Sequence, residues 1–171
     1  IEGREVKEFM RAHGMVPHKY NKLDYGGLEF SQASADVKSV QFISYDQKAK
    51  IARIKEGEYT LLEDLIIPAG ITLMVDPGVT LFLDNSSSVV SYSPVELLGV
   101  AGKKINVIGR SSGNSFLVLN AKKKSRISHA VFQSLSENAS NSSITGSVTF
   151  YESDVEIRSS LFEGNKNVDD H

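Results

Sequence analysis

Aliphatic residues return at a fixed interval through the middle of this chain. Leu61, Leu83, Ile105 and Ile127 stand 22 residues apart, and the same spacing links Leu73, Val95 and Leu117, and Val75, Leu97 and Leu119. A repeat this short cannot bury its apolar side alone, so its stability must come from stacking on neighbours. Within each repeat, Val, Ile, Thr and Phe alternate with polar residues in short runs separated by Pro, Gly, Asn and Ser, the period of strands and turns. Short strands rising about 3.3 Å per residue let one repeat close three sides of a coil, with successive coils about 4.8 Å apart. The stretch ITLMVDPGVTLFLD at 71–84 then reads as one corner: ITLMV and VTLFL are two sides and Asp76-Pro77-Gly78 is the turn. The wrap continues past Ile127 if eight or nine residues are inserted within SLSENASNSSITG. Val148 and Phe150 then fall under Leu117 and Leu119, and RISHAVFQ lies over EIRSSLFE.

The repeat occupies residues 57–171, about five coils. Ahead of it, 1–56 reads differently. Val6, Phe9, Met10 and His13 fall on one helical face with Gly14 at the C-cap position, Pro17 and Gly26-Gly27 mark irregular chain, and SVQFISY and KIARI read as strands. An α/β cap of this kind would cover the first coil's apolar end and strand edge. Ile1-Glu2-Gly3-Arg4 matches the tetrapeptide read by a processing protease and is given no structural role. A net charge of −2 shows no bias towards nucleic acid, and no apolar run reaches the roughly 18 residues that a spanning helix requires. With no cysteine in the chain, disulfide frameworks and thiolate metal sites are excluded.

The stretches IIPAGITLMVDPGVTLFLD, SRISHAVFQ and DVEIRSSLFEGN resemble coils of the right-handed parallel β-helix proteins, the pectate-lyase-like superfamily. The resemblance implies a mainly β fold, a single-stranded parallel β-helix behind an amino-terminal α/β cap, and a place outside the cytoplasm: extracellular, on the cell surface or periplasmic. It implies no single activity, since the superfamily holds lyases, hydrolases, epimerases and adhesins. The chain ends at SLFEGNKNVDDH, partway into a coil. An open strand edge there is expected to meet further coils of a longer stack or a partner subunit.

Chemistry must come from outward positions. A polyuronate lyase of the superfamily would need carboxylates on neighbouring coils to hold Ca²⁺, with a cationic base beside them. The 22-residue wrap gives Leu62, Asp84, Asn106, Ser128 and Arg158 in one outward column and Thr60, Phe82, Lys104, Arg126 and Glu156 in another, which supplies no such cluster. Arg126 with Glu156 and Lys124 with Asp154 read instead as cross-strand ion pairs. For a hydrolase, the resemblance makes Asp169 and Asp170 the catalytic candidates, although the Gly-His-Gly and Arg-x-Lys signatures that accompany such a pair are absent. For binding, Lys124 and Arg126 next to Lys122-Lys123 suit an anionic glycan, and Tyr92 and Tyr151, with Phe82 and Phe116, are the aromatic faces available to a sugar. His129 falls opposite Ser159 at a coil corner, where its ring is expected to be hydrogen-bonded. His13 and His18 lack any metal-ligand spacing. Asn85, Asn138 and Asn141 each begin an Asn-x-Ser acceptor that reads equally as turn chemistry. The sequence thus favours a non-catalytic scaffold that binds carbohydrate or a surface protein, without cofactor or metal. The alternative is the amino-terminal part of a polysaccharide lyase or glycoside hydrolase, with its active-site coils further on.

Overall fold

The structure is a computed structural model that describes residues 37, 40–137 and 146–166, all within the compact unit 34–171. The helical face at 6–13, His13, His18, Asn138, Asn141, Asp169 and Asp170 lie outside the described residues.

Fifteen strands follow one another among the described residues: β1 (Ile43–Asp46), β2 (Ile51–Ile54), β3 (Gly57–Leu61), β4 (Leu65–Ile67), β5 (Thr72–Val75), β6 (Val79–Leu83), β7 (Val89–Ser91), β8 (Val95–Leu98), β9 (Ile105–Gly109), β10 (Phe116–Leu119), β11 (Ser125–Ser128), β12 (Ala130–Gln133), β13 (Val148–Tyr151), β14 (Val155–Arg158) and β15 (Leu161–Glu163). They build three sheets: a six-stranded sheet ordered β1-β2-β5-β8-β11-β14, a five-stranded sheet β15-β12-β9-β6-β3, and a four-stranded sheet β13-β10-β7-β4. From β3 onward the chain visits the five-, four- and six-stranded sheets in turn, so every third strand pairs with its predecessor. The result is a parallel β-solenoid of about four turns. β1 alone runs antiparallel, joined to β2 by a hairpin in which Asp46 accepts from the backbone N–H groups of Lys48 and Ala49. β2 already pairs in parallel with β5, which places Ile51–Ile54 within the stack.

Alternation decides which residues face the axis. In β6 the pattern Val79, Leu81, Leu83 is buried and Thr80, Phe82 half-buried, and β9 repeats it with Ile105, Val107 and Gly109 inward. Ile54, Leu65, Leu73, Leu83, Leu97, Ile105, Ile127 and Phe132 are all buried to within 2%. Each is worth about 1.5–3 kcal/mol in transfer terms, set against the ordering of the coils. Asp76-Pro77-Gly78 makes the expected corner between β5 and β6, with Gly78 at φ 85°.

The columns differ from a constant wrap because the circuits are unequal. Gly57 lies opposite Val79, 22 residues on. Thr80 lies opposite Asn106, 26 on, Ile105 opposite Ala130, and Val131 opposite Leu161, 30 on. Leu73 and Val95 are partners, as are Val75 and Leu97, but the next residue beneath Leu97 is Ile127. Leu117 and Leu119 therefore leave those columns and stand in β10 opposite Thr149 and Tyr151. Leu83 faces Gly109 rather than Ile105, and Phe82 faces Ile108 rather than Lys104. Val148 and Phe150 pair with Phe116 and Val118, one residue from the wrapped register. The cause is connection length: three residues join β5 to β6, six join β8 to β9, and His129 alone joins β11 to β12. RISHAVFQ does lie over EIRSSLFE, residue for residue.

Candidate ligand-binding groove

The corner between the four- and six-stranded sheets is built four times, by Pro68–Ile71 after β4, Tyr92–Pro94 after β7, Asn120–Lys124 after β10 and Glu152–Asp154 after β13. Serine side chains fasten these corners to one another. The Ser93 hydroxyl donates to the carbonyl of Pro68 (3.0 Å) and accepts from the N–H of Ile71 (3.1 Å). Two coils further, Ser153 donates to the carbonyl of Tyr151 and accepts from the N–H of Ala121. Gly70 at φ 87° and Asn120 at φ 53° supply the left-handed turns these corners require.

Between them lies a groove of about 310 Å³ walled by Gly70, Tyr92, Pro94, Asn120, Lys122 and Lys123. Lys122 and Lys123 are exposed, with no carboxylate partner among the described residues. The Tyr92 hydroxyl is enclosed and has no hydrogen-bond partner among the described residues, and burial raises its pKa above the usual 10.0. Two ammonium groups beside a ring and a proline suit an anion carried on an apolar or saccharide frame. The walls hold no Asp, Glu or His, so the groove has no carboxylate pair to act as acid and base.

The other residues named from sequence stand elsewhere. Lys124 follows the groove lysines but does not line it. Arg126, on β11, lies beside Glu156 in the ladder, yet its guanidinium pairs with Glu96 at 2.5 Å. That hydrogen bond, with the charge of Glu96, raises the Arg126 pKa. Glu156 pairs with Arg158. Lys124 and Asp154 form no ion pair, and the coils there are held through the Ser125 N–H and the Asp154 carbonyl. Tyr151 ends β13, half-buried, one coil below Leu119. Phe116 is 1% exposed and meets the Phe132 ring edge-on at 5.3 Å, so it belongs to the core. The guanidinium of Arg110 covers Phe82 at 3.5 Å. Tyr92 and Tyr151 are what remains of the aromatic candidates.

His129 does take the corner position opposite Ser159, both in the left-handed region at 46° and 49°. Its Nδ1 is enclosed without a partner among the described residues, where a hydrogen-bonded ring was expected. Asn85, the described glycan acceptor, uses its amide to donate to the Leu62 carbonyl. Among the described residues no three His, Cys, Asp or Glu gather as a metal site. No helix among them is long and apolar enough to cross a membrane.

Sequence reasoning passed over the opposite corner, where buried polar side chains form a network. Asp64 accepts from the N–H of Ser88 at 2.7 Å, Asn114 donates to the Ser87 carbonyl at 2.8 Å, and the Ser88 and Ser115 hydroxyls meet at 2.9 Å. In sequence these residues look like loop. Their spacing across coils, Ser88 to Ser115, was the available signal.

Comparison with protein-family models, curated proteins and solved structures finds no match to this chain.

Proposed function

We propose that this β-solenoid is a non-catalytic scaffold, part of an exported or cell-surface protein, whose flank binds an acidic carbohydrate or an acidic protein surface. The observation that carries the reading is the groove between the sheets, which Lys122 and Lys123 line together with Tyr92, without a carboxylate partner among the described residues. Three outward carboxylates elsewhere on the flank are held in ion pairs: Glu96 with Arg126, Asp76 with Arg53, and Glu56 with Lys103. Such pairs link neighbouring coils across the surface. The lower end of the stack belongs to the same reading, as a place where a continuing coil or a partner subunit seats.

A glycan array carrying neutral, carboxylated and sulfated oligosaccharides tests it, in parallel with an assay for unsaturated uronate release with and without Ca²⁺. The expected result is retention of anionic glycans, loss of that retention in a Lys122→Glu/Lys123→Glu variant, and no release of product. Retention unchanged in the variant, or release of product, would overturn the proposal.

A further inference from the structure

The apolar columns inside the solenoid do not taper to a polar finish. Ile157 continues the column of Ile127 and Phe162 that of Phe132. Ile127 and Phe132 are 1% and 0% exposed, whereas Ile157 and Phe162 are 41% and 44% exposed. Residues with the same inward orientation and the same chemistry are covered in one coil and open in the next.

The backbone of this last coil copies the one above it. Ser134 and Gly164 take φ of 55° and 62°, His129 and Ser159 take 46° and 49°, and Asn120 and Glu152 take 53° and 45°. Equal corners and equal strands mean that the lower face of the β14–β15 coil matches the face that β11–β12 present to it. That upper face is recognised in three ways. Ile157 and Phe162 cover the columns, and the Phe162 ring lies flat on Phe132 at 5.1 Å. The Ser160 hydroxyl accepts from the N–H of Ala130. Asn165 accepts from the N–H of Leu135 at 2.9 Å and donates to the carbonyl of Phe132 at 3.0 Å. Among the described residues β14 and β15 are the last strands of their sheets, and the positions equivalent to Ala130, Phe132 and Leu135 one coil down are Ser160, Phe162 and Asn165.

We infer that the face formed by β14 and β15 is a template for one further coil of the same kind, set in parallel register at the 30-residue spacing. Resting on the scaffold reading, the inference names the occupant of the open end: a three-sided coil with an aliphatic side chain beneath Ile157, an aromatic ring beneath Phe162, and short polar side chains at the corners to meet the backbone of Ser160 and Asn165. The match of columns and of left-handed corners selects this occupant over a two-fold partner. A two-fold axis would run the facing strands antiparallel and bring the corners out of phase.

The test repeats residues 137–166 directly after Lys166 in the full chain. The added coil should raise the melting midpoint by about 4 °C or more, and should slow amide exchange at Leu161–Glu163 at least tenfold relative to the parent. The same extension carrying Phe162→Glu at the junction should gain neither effect over Phe162→Glu in the unextended chain, the reference that accounts for the lost stacking on Phe132. Unchanged melting together with free exchange at Leu161–Glu163 would overturn the inference. So would equal gains with and without Phe162→Glu. Neither readout depends on glycan retention, so failure here is distinguishable from failure of the groove.

Discussion

Phe132 and Phe162 lie face to face with centroids 5.1 Å apart and planes within 9° of parallel, the first enclosed and the second at the open end of its column. Their unequal surroundings give an internal control. Phe132→Ala should cost about 3–5 kcal/mol through lost burial and the cavity left behind. Phe162→Ala removes a ring already in water on one side and should cost about 1 kcal/mol. Urea unfolding of the two variants checks the ratio, and equal losses would contradict the assignment of inner and outer coils.

Leu97 is fully buried beneath Val75 and above Ile127. Leu97→Asp places an unpaired charge inside the column, at a cost of several kcal/mol, enough to unfold a domain of ordinary stability. Its neighbour Glu96 points outward to Arg126. Glu96→Gln should leave the melting curve close to the parent's, since exposed pairs contribute little. Circular dichroism melts of both variants test this contrast.

Gly109 ends β9 where a Cβ would lie 2.3 Å from the Ser134 carbonyl oxygen. Backbone cannot swing aside as a long side chain does, so Gly109→Ala should force the coils apart at a cost of about 1–3 kcal/mol. Gly102, with nothing within 4 Å of the same position, serves as the control, and Gly102→Ala should be neutral in the same urea titration.

Asp64 offers a pH-dependent test. Burial raises its pKa above the usual 3.8, and the hydrogen bond from the Ser88 N–H only partly offsets that. The folded chain therefore binds this proton more tightly than the unfolded chain. The contribution favours folding below the ordinary value and is lost as pH rises through the raised one. Asp64→Asn keeps an acceptor for the Ser88 N–H without the buried charge. The variant should match the parent near about pH 3 and exceed it by a margin that grows as the parent's carboxyl ionises. A margin that stays constant with pH, measured by thermal melts, would refute this account.

Much of the architecture was readable before any coordinates. Leu73 with Val95, Val75 with Leu97, and the pairing of RISHAVFQ with EIRSSLFE are present as expected, because the whole circuit between those partners has the length counted along the chain, 22 residues for the first two and 30 for the last. Leu117 and Leu119 were misplaced for the opposite reason. The connection from β8 to β9 is longer than that from β5 to β6, and a period counted along the chain cannot separate strand from loop. A slip of one residue then turns a strand's faces over, which is what happened at Val148 and Phe150. The groove was legible only as ingredients. Tyr92 and the 122–124 lysines carry the right chemistry, but which lysines stand beside the ring depends on how Asn120 and Ser153 bend and fasten the corner.

The hairpin of β1 and β2 has a consequence for assembly. One edge of the six-stranded sheet is occupied by a strand running against the rest, so a parallel coil arriving from that side finds the wrong polarity. Among the described residues, the six-stranded sheet therefore offers a strand of the stack's own polarity at its β14 edge and not at its β1 edge.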